Sequence, residues 1–292
     1  DKMRKEVFPQ LIKGEKWSSL AISEAFAGSD VAACRTTAVK TPDGKHYIVN
    51  GVKKWITEGM YSDYFVTACR TGPKGNKGLS MILVEHCENI KLSQIKTTYS
   101  TAAGTALVVY EDVKVPVENL MGKENNGFKM IMYNFNHERW MIVNVVVGGM
   151  RAALADTFMW CMQRKIFGKS LMDQPVIRNK LASAVAAMES LQAFNESLTY
   201  AMGQLKEGPV SQRMSGPIAL LKYQSTRTAW KVADDCVQIL GGRGITHSGM
   251  GAKIEGMKNY AKYAAVYGGS EEIMAETAIR MAMATYPKDA RL

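Results

Sequence analysis

The sequence has few of the side chains that form disulfides or bind metals. Its 292 residues include five cysteines, an odd number, and four histidines. No cysteines form a CxxC pair, and neither residue type has the spacing of metal ligands. We therefore expect reduced, structural thiols of the kind found in intracellular proteins, and no metal site.

Long apolar runs without a charge are also missing. A helix that crosses a bilayer needs about 20 apolar residues, and the nearest approach, Trp140 to Met150, is shorter. We therefore expect no membrane span. The chain opens at Asp1 with neither an apolar signal region nor an Arg/Ser-rich transit pattern, so any targeting signal is expected to lie outside it. Mitochondrial, peroxisomal and cytoplasmic locations stay open.

Positive charge is in excess. Thirty-seven Lys and Arg against 27 Asp and Glu give a formal net charge of +10, which attracts phosphate-bearing molecules such as nucleotide cofactors and nucleic acids. The sequence has no run of five basic residues, no zinc-finger spacing and no interleaved basic and aromatic stripe. Nucleic-acid binding is therefore not favoured.

Two kinds of periodicity divide the chain. From Ser19 to about Val117, apolar and polar residues alternate between turns such as Pro42-Asp43-Gly44 and Asn50-Gly51, which predicts an antiparallel β-sheet or barrel. Beyond Pro116 the period is helical, and it predicts helices near 124–164, 175–206, 212–240, 252–265 and 270–284. The expected fold class is α+β, with a β-domain followed by an up-and-down helical bundle.

Four motifs appear in a fixed order along the chain. Residues 21–30, AISEAFAGSD, resemble the "TEPxAGSD" motif of acyl-CoA dehydrogenases, with Ala25 where Pro is usual. Residues 55–59 (WITEG), 164–168 (RKIFG) and 238–244 (QILGGRG) resemble the family motifs "WITNG", "RxxFG" and "QxxGGxG". The chain thus resembles that family over nearly its whole length. The segments AVKTPDGKHYIVNGVKKWIT and HERWMI are most similar to fungal members.

The resemblance implies a fold, a cofactor and partners. Acyl-CoA dehydrogenases are FAD-dependent enzymes with an amino-terminal helical domain, a middle β-domain and a carboxy-terminal helical bundle. On that pattern residues 1–18 are a remnant of the first domain, 19–121 form the middle domain and 122–292 form the bundle. The implied substrate is an acyl-CoA, and the implied electron acceptor is an electron-transfer flavoprotein or a fused haem module of the kind some fungal members carry.

The resemblance also assigns cofactor residues. By its motifs, Ile22 and Ser23 contact the flavin pyrimidine edge, Trp55 packs on the ring system and Thr57 bonds near N5. The remaining positions expected near FAD are Gly28, Ser29, Tyr267, Ser270 and Glu272, and, from a neighbouring subunit, Arg164, Phe167, Gln238, Gly241 and Gly242. A contribution across subunits implies a homodimer or a homotetramer.

The family's usual catalytic base is missing. Many members take it from the Glu of "YEGT" before the last helix, where this chain has Tyr267-Gly268-Gly269-Ser270. Isovaleryl-CoA and long-chain types instead use the Glu of an "ER" dipeptide on an earlier helix, and Glu138 precedes Arg139 at that position. Glu138 is thus the expected base, and the Gly268 N–H is the expected donor to the thioester carbonyl.

The residues themselves support Glu138. Ile142 and Val145, at i+4 and i+7, form an apolar face of the same helix, and burial at its edge raises a carboxyl pKa. An ordinary helix salt bridge to a lysine is the alternative. The positions that line the CoA channel by resemblance are Ser29, Phe135, Asn136, Arg139 and Gly269, for which helix surface and core packing are the alternative.

Three functions stay open on the sequence. The first is an acyl-CoA dehydrogenase with Glu138 as base. The second is an oxidase of the same fold that acts on acyl-CoA or a nitroalkane and passes electrons to oxygen. The third is a non-catalytic flavoprotein or assembly partner, including a nucleic-acid-binding relative.

Overall fold

The computed structural model describes residues 3–206 and 212–286 and consists of two compact units, Asp1–Met132 and Tyr133–Leu292. The first unit is dominated by a sheet and the second by helices, which confirms the predicted fold class. Residues 1–2, 207–211 and 287–292, which fall within the ranges 1–18 and 122–292 proposed from the sequence, lie outside the described residues.

The first unit contains one eight-stranded sheet. It runs in the order β6-β7-β3-β2-β4-β5-β8, with β1 beside β4. A short helix, α1 (Phe8–Ile12), precedes it. The strands are β1 (Ser18–Ala21), β2 (Thr37–Lys40), β3 (His46–Ile56), β4 (Tyr64–Arg70), β5 (Leu79–Glu85), β6 (Ile90–Gln94), β7 (Ala106–Pro116) and β8 (Leu120–Met121).

The sheet is mixed, whereas the alternation in the sequence predicted an antiparallel one. Most neighbours are antiparallel, but β1 pairs with β4 in parallel from Ser18 opposite Tyr64 to Ala21 opposite Thr67. The intervening β2 and β3 form an antiparallel pair, so the chain has reversed twice before it reaches β4. Alternation along a strand reports which face is buried and carries no information about the direction of its neighbour.

The core of this unit follows the predicted alternation. In β3, Tyr47 and Val49 are buried, and in β7, Val113 and Val115 are buried opposite them. Successive side chains of a strand point to opposite faces, so every second residue of these long strands packs into one apolar layer.

The second unit is a helical bundle. Helix α2 (Gly127–Gln163) enters it from the first unit, and α3, α4, α5 and α6 follow. A two-stranded ribbon, β9 (Lys165–Ile166) with β10 (Lys169–Ser170), links α2 to α3. The later helices are α3 (Pro175–Gly203), α4 (Ser215–Leu240), α5 (Ala252–Val266) and α6 (Glu271–Thr285).

Helix α2 supplies much of the bundle core. Its Val143, Val146 and Met150 are completely buried and share one apolar cluster with α3, α4 and α5. By length and composition, α2 is the one helix in the described ranges that could cross a bilayer. The core helix of a bundle passes the same test, and the burial of Val143, Val146 and Met150 is what such a helix shows.

Candidate functional site

Glu138 and Gly268 come together in the helical unit, 130 positions apart in sequence. Gly268 lies in the turn between α5 and α6 with a φ of 66°, in the left-handed region that favours glycine. A Cβ built on it would lie 3.9 Å from Glu138 Oε1 and 2.5 Å from Ile142 Cδ1. The Glu138 carboxylate and the Ile142 methyl therefore occupy the space that a side chain at position 268 would enter.

The surroundings of Glu138 shift its protonation. Burial raises its pKa above the ordinary value, and the positive charges of Arg139 and Lys222 oppose that rise. Asn134 Nδ2 donates a weak hydrogen bond to Oε2 at 3.4 Å, the one hydrogen bond to this carboxylate within residues 3–206 and 212–286. The carboxyl thus has no lysine salt bridge in those ranges, and its raised proton affinity is the property that a general base needs.

Two cations bind the backbone beside this carboxylate. Arg139 is buried, and its Nε donates to the Gly268 carbonyl at 2.9 Å. Lys222, on α4, is completely buried, and its Nζ donates to the Gly269 carbonyl at 2.5 Å. The sequence reasoning missed Lys222. The available signal was a charged residue one position after Leu221 and four after Ile218, on a helical face that is otherwise apolar.

The Gly268 N–H is available as a donor. Within the described part of the chain, no carbonyl or side chain accepts a hydrogen bond from it, whereas the preceding Tyr267 N–H donates to the Tyr263 carbonyl. A backbone donor without an internal acceptor, beside a carboxylate of raised pKa, can hydrogen-bond a carbonyl oxygen that gains negative charge.

The other predicted substrate residues of this unit have internal partners. Asn136 is buried, and its Nδ2 donates to Ser215 Oγ at 2.8 Å. The Arg139 guanidinium lies 5.4 Å from the centre of the Phe135 ring. Gly269 has a φ of 105° and contributes its carbonyl to Lys222. The Arg139 guanidinium thus binds groups of the chain itself, the Gly268 carbonyl and the Phe135 ring.

Three predicted cofactor residues lie in the turn before α6 and in the first turn of that helix. Ser270 caps α6, with its Oγ accepting from the Ile273 N–H at 3.5 Å. Glu272 is exposed, and hydrogen bonds from its own N–H and Ser270 lower its pKa. The Tyr267 ring stacks on Tyr263 at 4.5 Å between centroids, and burial raises the Tyr267 pKa.

Trp55 and Thr57 form a separate feature in the sheet unit. The β3–β7 register shifts between Lys53 and Ile56, and Trp55 in this bulge has a φ of 67°, an unfavourable conformation for a bulky side chain. The bulge leaves the indole 55% exposed, and Thr57 beside it is also exposed. Strain of this kind concentrates at binding sites because it turns a side chain toward a ligand.

A buried ion pair supports the segment that carries Ile22 and Ser23. Lys53, fully buried, donates to the Ile22 carbonyl and to Glu24 Oε1, both at 2.9 Å. Burial alone would raise the Glu24 pKa, but Lys53 together with Thr36 lowers it to about 2. Ile22 is therefore held in the core, while the Ser23 side chain is half-exposed and its carbonyl accepts from the Lys54 N–H. Gly28 and Ser29 follow on an exposed stretch.

The residues predicted to reach a neighbouring subunit are mostly on the surface. Phe167 is 90% exposed with a φ of 49°, and Gln238 and Gly242 are also exposed. The Arg164 guanidinium lies 5.9 Å from the Trp160 ring. Gly241 ends α4 with a φ of 62°, a conformation that makes glycine the usual residue after a helix.

Two domain families match the chain. One is described as "Acyl-CoA dehydrogenase, middle domain" and covers residues 19–113, and the other as "Acyl-CoA dehydrogenase, C-terminal domain" and covers residues 125–283. The chain belongs to the acyl-CoA dehydrogenase family. The resemblance inferred from the four motifs is confirmed.

Individual members of the family are similar to this chain in sequence and in structure. The chain is 41% identical over 280 residues to acyl-CoA dehydrogenase apdG of Emericella nidulans, covering 95% of this chain and 64% of that protein. It is 33% identical to acyl-CoA dehydrogenase AFT10-1 of Alternaria alternata, covering 96% and 65%. A crystal structure of acyl-CoA dehydrogenase from Geobacillus kaustophilus matches with a TM-score of 0.87 at 27% identity, covering 96% and 72%. The chain thus spans slightly less than two thirds of the two curated relatives, and the predicted likeness to fungal members is confirmed.

Proposed function

We propose that this acyl-CoA dehydrogenase family member catalyses FAD-dependent α,β-dehydrogenation of an acyl-CoA thioester, with Glu138 as the base. The observation that carries the proposal is the Glu138 carboxylate, half-buried with a raised pKa and placed 3.9 Å from where a Cβ at Gly268 would be. Many other members place their carboxylate at the position of Gly268, and isovaleryl-CoA and long-chain types take it from the earlier helix. In this chain the carboxylate beside the turn therefore comes from α2 and not from position 268 itself.

The sheet unit has groups that suit FAD. Trp55 has a partly exposed indole in a strained bulge, with Lys54 Nζ 4.7 Å from its ring centre. Thr57 carries a hydroxyl two residues later, and Ser23 carries a second hydroxyl on a segment fixed by Lys53. An isoalloxazine ring needs stacking on its face and hydrogen bonds at its edge, and these residues provide both kinds of contact. When bound, FAD supplies the hydride acceptor for the hydrogen on the β-carbon.

The chain's own part in the reaction is proton transfer and charge stabilisation. Glu138 removes the α-proton, and its raised pKa increases its strength as a base while leaving it ionised in the pH range above that pKa. The Gly268 N–H donates to the thioester oxygen as negative charge develops there. Arg139, bound to the Gly268 carbonyl, fixes the orientation of the peptide that follows the donor.

We also propose that the enzyme is a homodimer or homotetramer. Phe167, Gln238 and Gly242 support this, since a large exposed aromatic residue in a left-handed conformation is unfavourable for an isolated subunit. The electron acceptor is proposed to be an electron-transfer flavoprotein or a fused haem module.

The test is an anaerobic spectral titration of the full-length protein with acyl-CoAs of graded chain length. The parent is expected to lose its oxidised-flavin absorbance, and Glu138→Gln is expected to be slower by roughly 10²- to 10⁴-fold, the usual contribution of a general base. Glu189→Gln, which removes an exposed carboxylate paired with Arg151, is the matched control and should match the parent.

Three results would redirect the proposal. A Glu138→Gln variant that is reduced as fast as the parent would remove Glu138 as the base. Binding of FAD without reduction by any acyl-CoA would favour the non-catalytic reading. Release of peroxide in air by the reduced parent would make it an oxidase with the same base.

A further inference from the structure

Lys222 is buried in an unusual way. No part of it is exposed, and its ammonium makes no ion pair within residues 3–206 and 212–286. The charge is compensated only by the Gly269 carbonyl at 2.5 Å and by more distant carboxylates. A buried charge without a direct counter-ion destabilises the folded state, and an apolar side chain of the same length would pack without that cost. Stability therefore does not explain a lysine here.

The ammonium acts on the turn that carries the proposed oxyanion donor. Lys222 and Arg139 bind the consecutive carbonyls of Gly269 and Gly268. Both glycines have left-handed φ angles, 66° and 105°, and glycine pairs have more backbone freedom than any other sequence. Two charged donors on adjacent carbonyls remove that freedom and fix the direction of the Gly268 N–H.

Electrostatics connect Lys222 to the base as well. Around its ammonium lie Arg139 and Glu138 from α2, and Glu271 and Glu272 from α6. Burial and Arg139 lower the Lys222 pKa to about 8, while the three carboxylates oppose that shift. At pH 7 the side chain is therefore mostly charged. Its charge lowers the pKa of Glu138 and so counteracts part of the effect of burial on that carboxyl.

We propose that Lys222 is a positioning residue of the base site. Its ammonium holds the Gly268-Gly269 turn so that the N–H of Gly268 meets the thioester oxygen, and its charge keeps Glu138 ionised. This inference rests on the proposed dehydrogenation. It gives a residue outside the four family motifs two roles, one in orienting the Gly268 N–H and one in keeping Glu138 ionised.

The test uses three variants of the full-length, FAD-loaded protein. Lys222→Met keeps the length of the side chain and removes its charge and donor. Lys222→Arg keeps both. Lys231→Met is the matched control, since Lys231 is an exposed lysine on the same helix whose partner is Asp235. Three quantities are measured: the pH profile of anaerobic flavin reduction by acyl-CoA, the melting temperature, and hydrogen–deuterium exchange of the peptide that contains residues 267–270.

Lys222→Met is expected to slow reduction roughly ten- to a hundredfold, the effect of losing a hydrogen bond to a charged group. Its acid limb should move to higher pH, because Glu138 loses a neighbouring positive charge. Exchange at residues 267–270 should rise, while the melting temperature stays equal to the parent's or increases. Lys222→Arg should keep the acid limb of the parent, and Lys231→Met should match the parent in all three measurements.

Two outcomes would overturn the inference. One is a Lys222→Met protein with the parent's rate, acid limb and exchange. The other is a Lys222→Met protein that melts earlier while its FAD-loaded fraction reacts normally, which would make Lys222 a structural residue. If the parent itself is not reduced by any acyl-CoA, the proposed function fails, and the exchange measurement still decides whether Lys222 holds the turn.

Discussion

A substitution at position 268 tests whether Ile142 fills the space beside Gly268 in the proposed base site. The change is Gly268→Ala, which adds one methyl group. The new Cβ would lie 2.5 Å from Ile142 Cδ1, where a normal contact between carbon atoms is about 3.5–4.0 Å. Ile142 is buried, so its side chain has little room to move away. The substitution also places a side chain on a backbone with a φ of 66°.

The expected cost is the sum of these two effects. A left-handed conformation costs a non-glycine residue roughly 1–2 kcal/mol, and overpacking a buried site costs roughly 1–3 kcal/mol. We therefore expect Gly268→Ala to lower the free energy of unfolding by about 2–5 kcal/mol. Ile142→Val removes the clashing Cδ1 at its own cost of about 0.5–1.5 kcal/mol. Ile142→Val relieves the overpacking but not the backbone strain at position 268. The double variant should therefore lose about 1–3 kcal/mol less unfolding free energy than the sum of the two single variants.

The assay is thermal and urea unfolding of the parent, the two single variants and the double variant. Gly148→Ala is the matched control, because Gly148 lies on α2 with Ile142 and a Cβ there meets nothing within 4 Å. That variant should be neutral or more stable by up to about 1 kcal/mol, since alanine is the better helix former. Strict additivity of Gly268→Ala and Ile142→Val would refute the claim that Ile142 occupies the space beside Gly268.

Three further outcomes are expected. Glu138→Gln should raise the melting temperature at pH 7, because burial raises the Glu138 pKa and ionisation of this carboxyl therefore opposes folding. The gain should vanish below pH 4.5, where the carboxyl is protonated in both the folded and the unfolded state. A lower melting temperature of the variant at pH 7 would contradict this reasoning. A Glu24 pKa lowered from 4.5 to about 2 contributes about 3 kcal/mol, present above pH 4.5 and lost as pH falls toward 2. Lys53→Met should therefore reduce the unfolding free energy at pH 7 by about 3–5 kcal/mol in urea titrations, and a loss under about 1 kcal/mol would count against it. Phe167→Glu should yield monomers by light scattering, and an unchanged molar mass would contradict the proposed subunit contact.

Sequence alone was sufficient for the parts of the fold that depend on periodicity. The start of α3 was predicted at residue 175, and Pro175 opens that helix, where proline at the first position is favourable. The end of α4 was predicted at 240, and Gly241 follows with a left-handed φ. Local signals of this kind depend on a few neighbouring residues, so they can be identified from the sequence alone.

Features that arise from long-range pairing were not predictable. The parallel pairing of β1 with β4 depends on how the intervening chain reverses. The bulge at Trp55 depends on the register of β7 opposite β3, so the motif suggested a cofactor contact but not the strained conformation that exposes the indole. From the sequence, Lys222 is one charged residue among several on a helix. Its hydrogen bond to the Gly269 carbonyl follows only from the packing of α4 beside the turn before α6.

The geometry of the turn also bears on the proposal that Glu138 is the base and the Gly268 N–H the oxyanion donor. Arg139 and Lys222 bind the carbonyls of Gly268 and Gly269, and neither contact uses a side chain at position 268. The conformation of the turn is therefore held from α2 and α4, and the backbone N–H keeps its place whether or not a carboxylate follows it. On the proposed function, glycine at position 268 removes only the base, and α2 supplies it from Glu138, one position before the arginine that holds the turn.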